Sequence, residues 1–221
     1  GIVFVFPQNG HAEHEERLRE LHVAEDLGIP WLTAVGGEMR QDSVWSALCV
    51  LPADVRHVLI HDAARPFLTP ALVRSVCEAL QRGACGVIPA VPVTDTIKTV
   101  ADGLVTGTLP RQALMAVQTP QGFRKDILIE ANEKAEADGF LGTDDASLVE
   151  RLGRPVRVVM SDYSNIKVTT PEDLLVAEAF LRQAHGGVSE LVHDAAHKAR
   201  EKLRETLSVR QQPQSHEEES K

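Results

Sequence analysis

Three short segments hold the polar side chains best suited to act on an anionic substrate. Gly36-Gly37-Glu38-Met39-Arg40-Gln41-Asp42-Ser43 follows an apolar run ending at Val35, and His61-Asp62-Ala63-Ala64-Arg65-Pro66 follows one ending at Ile60. Asn165-Ile166-Lys167-Val168-Thr169 lies downstream of a third run ending at Met160. A glycine pair lets the backbone approach a flat or phosphorylated ligand, and Ser43, where a helix is expected to begin, offers a hydroxyl and an amide. The same pattern also describes a loop closed by an ordinary helix cap. Asp62 could orient a ribose, a metal or an attacking group, while Ala63 and Ala64 leave the backbone accessible and Arg65 can grip phosphate or carboxylate through two N–H groups. Equally, Asp62 and Arg65 could pair with each other and only lock the loop. Lys98, Arg111 and Lys167 supply further cations, and Thr96, Thr143 and Thr169 further hydroxyls. Each alone reads as solvated surface, and they make a phosphate site only if the fold gathers them.

The elements needed to gather them are legible as alternation. Apolar runs at Ile2–Phe6, Trp31–Val35 and His57–Ile60 are separated by helical patterns over 13–26 and 43–51. That βαβαβ order predicts an α/β fold, a doubly wound, Rossmann-like and mostly parallel sheet, with ligands bound outside the carboxyl ends of the strands. Thr69-Pro70 opens another helix, with Thr69 as cap, Pro70 at its first position, Leu72, Val73, Val76 and Leu80 at helical spacing, and Gly83 after its end. Runs at Gly86–Pro92 and Val156–Met160 read as further strands, and Thr170-Pro171-Glu172-Asp173 opens a helix over 174–182.

Between these the texture changes. Residues 96–100 and 104–108 flank Asp102-Gly103, the pattern of a β-hairpin with a tight turn. A hairpin with so little apolar surface is marginal alone, so it is expected to protrude as an arm and pack on something else, a second subunit. The main domain is placed at 1–184. Residues 188–209 read as an amphipathic helical extension and 210–221 as a polar, disordered tail.

Composition removes several classes of function. A net charge of −9 argues against a nucleic-acid surface, which needs a basic stripe, so an anionic substrate must be met by a local cluster of cations. No apolar run approaches the roughly 18 residues of a membrane helix, and Ile2–Phe6 is too short and lacks the basic flank of a secretory signal. The expected setting is the cytoplasm. Cys49, Cys77 and Cys85 share no metal-ligand spacing and are expected as buried, reduced thiols.

Together the three segments, with Asp95-Thr96-Ile97-Lys98, Gln118-Thr119-Pro120-Gln121 and Thr143-Asp144-Asp145-Ala146-Ser147, resemble the 2-C-methyl-D-erythritol 4-phosphate cytidylyltransferase family in order and approximate spacing. The resemblance spans about residues 2–181. It implies cytidylyl transfer from CTP to methylerythritol phosphate with release of pyrophosphate, with Mg²⁺ carried on the nucleotide phosphates and no separate protein metal site. It implies Asp62, Arg65 and Lys167 as catalytic, and Gly37, Glu38, Arg40, Ser43, Asp62, Ala63 and Lys167 as nucleotide-binding. Thr96, Lys98, Arg111, Thr119 and Thr143 would bind the acceptor, and a homodimer would form through an arm at 94–117, Arg111 reaching across from the partner. Glu38 stands where the family usually has Asp. The family's amino-terminal strand and glycine-rich loop have no counterpart here, so an amino-terminally incomplete domain is expected, with open edges on the neighbouring strands. Two other readings remain: a relative that uses another polyol phosphate such as ribitol 5-phosphate, and a non-catalytic remnant serving as an interaction module.

Overall fold

A computed structural model describes residues 1–21 and 28–185, so the segments 188–209 and 210–221, and residues 22–26 of the first expected helix, lie outside the described residues. The described residues cluster into two compact units, 1–62 with 68–162, and 63–67 with 163–185.

In the first unit, β1 (Ile2–Phe6), α1 (His11–Glu20) and β2 (Trp31–Val35) form a parallel β-α-β turn in a two-stranded sheet of its own. Next come α2 (Arg40–Cys49), β3 (His57–Ile60), α3 (Pro70–Gln81) and β4 (Gly86–Pro92). β5 (Lys98–Ala101) and β6 (Leu104–Thr108) lead to β7 (Met115–Val117), β8 (Gln121–Arg124), α4 (Lys125–Ala137), α5 (Asp145–Arg151) and β9 (Val156–Met160).

The expectation of a mostly parallel sheet is corrected. β4 pairs parallel with β9, but β8 is antiparallel to both β3 and β4, and β7 is antiparallel to β4. The cause is the route of the chain. After β4 it runs out through the hairpin and returns as β7 and β8 without a crossover helix, and a strand that returns directly must lie antiparallel. β8 and β7 share one edge of β4 end to end and β9 takes the other. The fold remains α/β with a mixed sheet.

Helices cover both faces of that sheet, as the side-chain alternation along β4 shows. Val87 joins Val76, Ala79 and Leu80 of α3. Its neighbour Ile88 joins Val44 and Leu48 of α2, Leu128 and Ala131 of α4, and Leu148 and Val149 of α5. β4 is therefore buried from Gly86 to Val91, as its unbroken apolar run suggested. Gly86 stands directly across from Phe123, whose ring lies 3.0 Å from where a β-carbon on Gly86 would be; the ring fills the space the glycine leaves.

The cap on α3 is the one expected: Thr69 Oγ1 accepts a hydrogen bond from the Leu72 amide at 3.2 Å, with Pro70 following. Thr69→Ala should lower unfolding free energy by about 1 kcal/mol in urea titration, and Thr69→Ser should retain most of it. The helix α2 begins at Arg40, three residues before the expected start, which puts Ser43 within its first turn. β5 and β6 form the expected hairpin, with positive φ at Asp102 (49°) and Gly103 (76°), and Val100, Leu104 and Val105 are 60%, 72% and 63% exposed. All three cysteines are free, but Cys49 is exposed at the end of α2, against the expectation of a buried thiol, while Cys77 and Cys85 are half-buried.

In the second unit, residues 63–67 lie along the segment that leads into α6 (Pro171–His185). The Val168 amide donates to the Ala64 carbonyl at 2.8 Å, and the ring of Phe67 meets that of Phe180 edge-on at 5.6 Å. Thr170 and Asp173 cap α6 reciprocally: the Thr170 amide donates to Asp173 Oδ2 at 2.8 Å and the Asp173 amide to Thr170 Oγ1 at 3.3 Å. The backbone amides of Thr169 and Thr170 hold the Asp173 carboxyl below the usual carboxylate range. A lowered folded-state pKa stabilises above the ordinary value and the benefit fades as pH falls through the lowered one. The stability lost in Asp173→Asn should accordingly be full at neutral pH and shrink as the pH drops below about 4, as paired thermal melts would read.

Candidate active site

The loop between β2 and α2 is shaped by contact rather than by turn type alone. A β-carbon on Gly37 would sit 2.2 Å from Cβ of Asp42, so no other residue fits without moving the helix start. Ser43 Oγ accepts from the Gly37 amide at 3.2 Å and donates to the Met39 carbonyl at 3.2 Å, and Asp42 Oδ2 accepts from the Met39 amide at 3.0 Å. Ser43 thus ties the glycine loop to the first turn of α2. Glu38 is exposed on that loop.

At the end of β3 the Asp62 amide donates to Thr119 Oγ1 at 3.0 Å, and His61 Nδ1 lies 3.0 Å from the same oxygen. Thr119 is 5% exposed and its peptide bond to Pro120 is cis. Its hydroxyl thus bridges the Asp62 amide and the His61 ring; the sequence reading places Thr119 among the acceptor contacts.

Arg40 links this position to the helix α5. Its Nη2 donates to Asp145 Oδ2 at 2.6 Å, and its Nε lies 3.8 Å from Asp62 Oδ1. Asp145 is 1% exposed. Burial disfavours the guanidinium's charge, but the hydrogen bond and charge of Asp145, helped by Asp62 and Asp144, carry the Arg40 pKa upward. Burial raises the Asp145 carboxyl, and the hydrogen bond and charge of Arg40 offset part of that rise. Asp145, and Gln121 whose side chain holds the neighbouring Asp144 and Ala146, stand within the family-like motif segments but carry no role in the sequence reading; an acid pair at a helix start signals a cap, and nothing local marks a partner at position 40.

The remaining residues fall elsewhere. Thr96, Lys98 and Arg111 are exposed on or beside the hairpin, where Lys98 Nζ donates to Thr108 Oγ1 at 2.7 Å and Arg111 Nη1 to the Thr94 carbonyl at 2.6 Å. Thr143 is exposed just before Asp144, whose carboxylate caps α5 by accepting from the Ser147 amide at 3.0 Å. Ala63, Arg65 and Lys167 belong to the second unit; Arg65 Nη1 donates to the Asn165 carbonyl at 2.8 Å, and Lys167 is exposed. Among the described residues no three His, Cys, Asp or Glu side chains gather as metal ligands, and no helix is long and apolar enough to cross a membrane.

Residues 10–183 match the model of the family described as 2-C-methyl-D-erythritol 4-phosphate cytidylyltransferase. The chain belongs to this family. It is 52% identical over 168 residues to the 2-C-methyl-D-erythritol 4-phosphate cytidylyltransferase of Geotalea uraniireducens, covering 74% of this chain and 72% of that protein. It is 49% identical over 179 residues to a bifunctional enzyme IspD/IspF of Nitratidesulfovibrio vulgaris, but there 81% of this chain spans only 45% of the relative's length. Among solved structures, the cytidylyltransferase of Thermus thermophilus superposes with a TM-score of 0.63 at 40% identity, covering 69% of this chain and 74% of that one. The corresponding synthase of Anaerococcus prevotii gives 0.71 at 32% identity, with 81% and 78% covered. The α/β fold seen here is thus shared with these solved structures.

Proposed function

We propose that the chain transfers a cytidylyl group from CTP to 2-C-methyl-D-erythritol 4-phosphate, releasing pyrophosphate. The observation that carries this reading is the set at the strand ends of a family member: a glycine loop pinned by Ser43, and Asp62 held by Thr119 and faced by Arg40. An oxygen of the acceptor phosphate attacks the α-phosphorus, a new P–O bond forms, and the bond to the β-phosphate's bridging oxygen breaks. With a second pKa near about 6, the acceptor needs little help to lose its proton. The protein's work is to place the reactants and neutralise the charge gathering on the phosphates.

In this reading Gly37, Glu38, Arg40 and Ser43 hold the nucleotide, Asp62 and Ala63 lie at its ribose and reacting phosphates, and Arg65 and Lys167 meet phosphate charge. Thr96, Lys98, Arg111, Thr119 and Thr143 serve the acceptor. The exposed hairpin packs against a second copy, which brings Arg111 across to the partner's acceptor. A divalent cation, Mg²⁺, fits as a companion of the nucleotide rather than as a resident ion. Mg²⁺ keeps several waters and usually takes one or two carboxylates beside the substrate phosphates. When bound it would screen the triphosphate.

The test is pyrophosphate release by the polypeptide with CTP, Mg²⁺ and methylerythritol phosphate, with ribitol 5-phosphate as the rival acceptor. Release that requires methylerythritol phosphate is the expected result. Release with the rival alone would reassign the acceptor, and none from folded protein would favour a non-catalytic module.

A further inference from the structure

Arg40, Asp62 and Asp145 come from three different elements and meet at one guanidinium. We propose that Asp145 is a positioning residue for the transfer reaction, acting through Arg40 on the Asp62 carboxylate. The inference rests on the reading above, in which Asp62 faces the reacting nucleotide.

The chain of contacts runs from the interior outward. Asp145 is 1% exposed, Asp62 is about 15% exposed in its side chain, and Arg40 is 38% exposed between them. The two carboxylates repel each other, and the guanidinium that joins them is a rigid plane whose N–H directions are fixed. Once Nη2 is committed to Asp145 at 2.6 Å, the direction of Nε toward Asp62 follows. Lys in place of Arg40 would keep the charge and lose that geometry.

Asp145 is itself firmly placed. Gln121 of β8, 2% exposed, donates from Nε2 to Asp144 Oδ2 at 2.8 Å and accepts the Ala146 amide on Oε1 at 3.2 Å. One buried amide side chain thus grips the residues on either side of Asp145 and fixes the start of α5 to the sheet. Burying an ion pair is a poor route to stability, since apolar residues of the same volume often serve as well or better. A buried acid whose partner reaches out to a strand-end carboxylate fits a role in orientation.

The experiment measures kcat and KM for CTP in the wild-type chain, Asp145→Asn, Arg40→Lys and the double variant, with circular dichroism on each. Asn keeps the shape of the side chain and removes its charge. Each single variant is expected to lose about 10- to 100-fold in kcat, as supports of reacting groups typically do, and in Asp145→Asn, which removes no nucleotide contact, KM for CTP should change by less than about 3-fold. The double variant should be no worse than the poorer single one, because both break one relay. Wild-type kcat in folded Asp145→Asn, or losses that multiply in the double variant, would overturn the inference while leaving the proposed function standing. If Asp145→Asn does not fold, Arg40→Lys decides: kcat within about 2-fold of wild type overturns the relay. A folded wild-type chain that releases no pyrophosphate with either acceptor overturns the function and the relay together.

Discussion

Lys167→Ala should leave the fold intact and reduce kcat for pyrophosphate release by about 100- to 1000-fold, the usual effect of removing one preorganised charge or donor from a transition state that gathers negative charge. The side chain is exposed, while the backbone beside it is anchored by the hydrogen bond from Val168 to the Ala64 carbonyl. Deleting the amine therefore removes charge and little packing. Steady-state kinetics with unchanged thermal melting would bear this out, and near-normal turnover would remove Lys167 from the site. Lys167→Arg should recover only part of the rate, because a planar fork does not reproduce a compact ammonium.

Phe123→Ala should cost about 3–5 kcal/mol, a large share of the roughly 5–15 kcal/mol that holds a domain together. The ring is fully buried, stands opposite Gly86, and belongs to the cluster formed by α2, α4 and α5. No β-carbon on Gly86 can close the void. Urea unfolding would measure the loss, and Phe123→Leu should retain much of the stability, so a small loss in Phe123→Ala would mean the core collapses around the vacancy.

Phe123 also shows why part of the fold was illegible. β8 is Gln-Gly-Phe-Arg, four residues with one large apolar side chain, and its burial comes from neighbours on both edges rather than from any local pattern. β4 and α3 were legible because an unbroken apolar run and a Thr-Pro cap report their environment locally. The parallel or antiparallel sense of the sheet depends on how the chain returns after the hairpin, which no window of sequence records. The proposed site divides the same way. Asp62, Arg65 and Lys167 stand out because polar residues after a strand are where α/β sheets act on ligands. Asp145 does not, because its partner is 105 positions earlier and its role exists only once the two helices are packed.

The pairing of β3 with β8 places position 57 beside position 124. During synthesis β3 is made long before the strand that covers its edge, a wait of roughly 3–13 s at about 5–20 residues per second. Throughout that interval Val58 and Leu59 belong to a nascent chain without their sheet, and the Asp62 amide lacks the Thr119 hydroxyl that will receive it. A ribosome stalled before the Thr119 codon would carry every residue of the β3 loop and still lack the hydroxyl that receives the Asp62 amide.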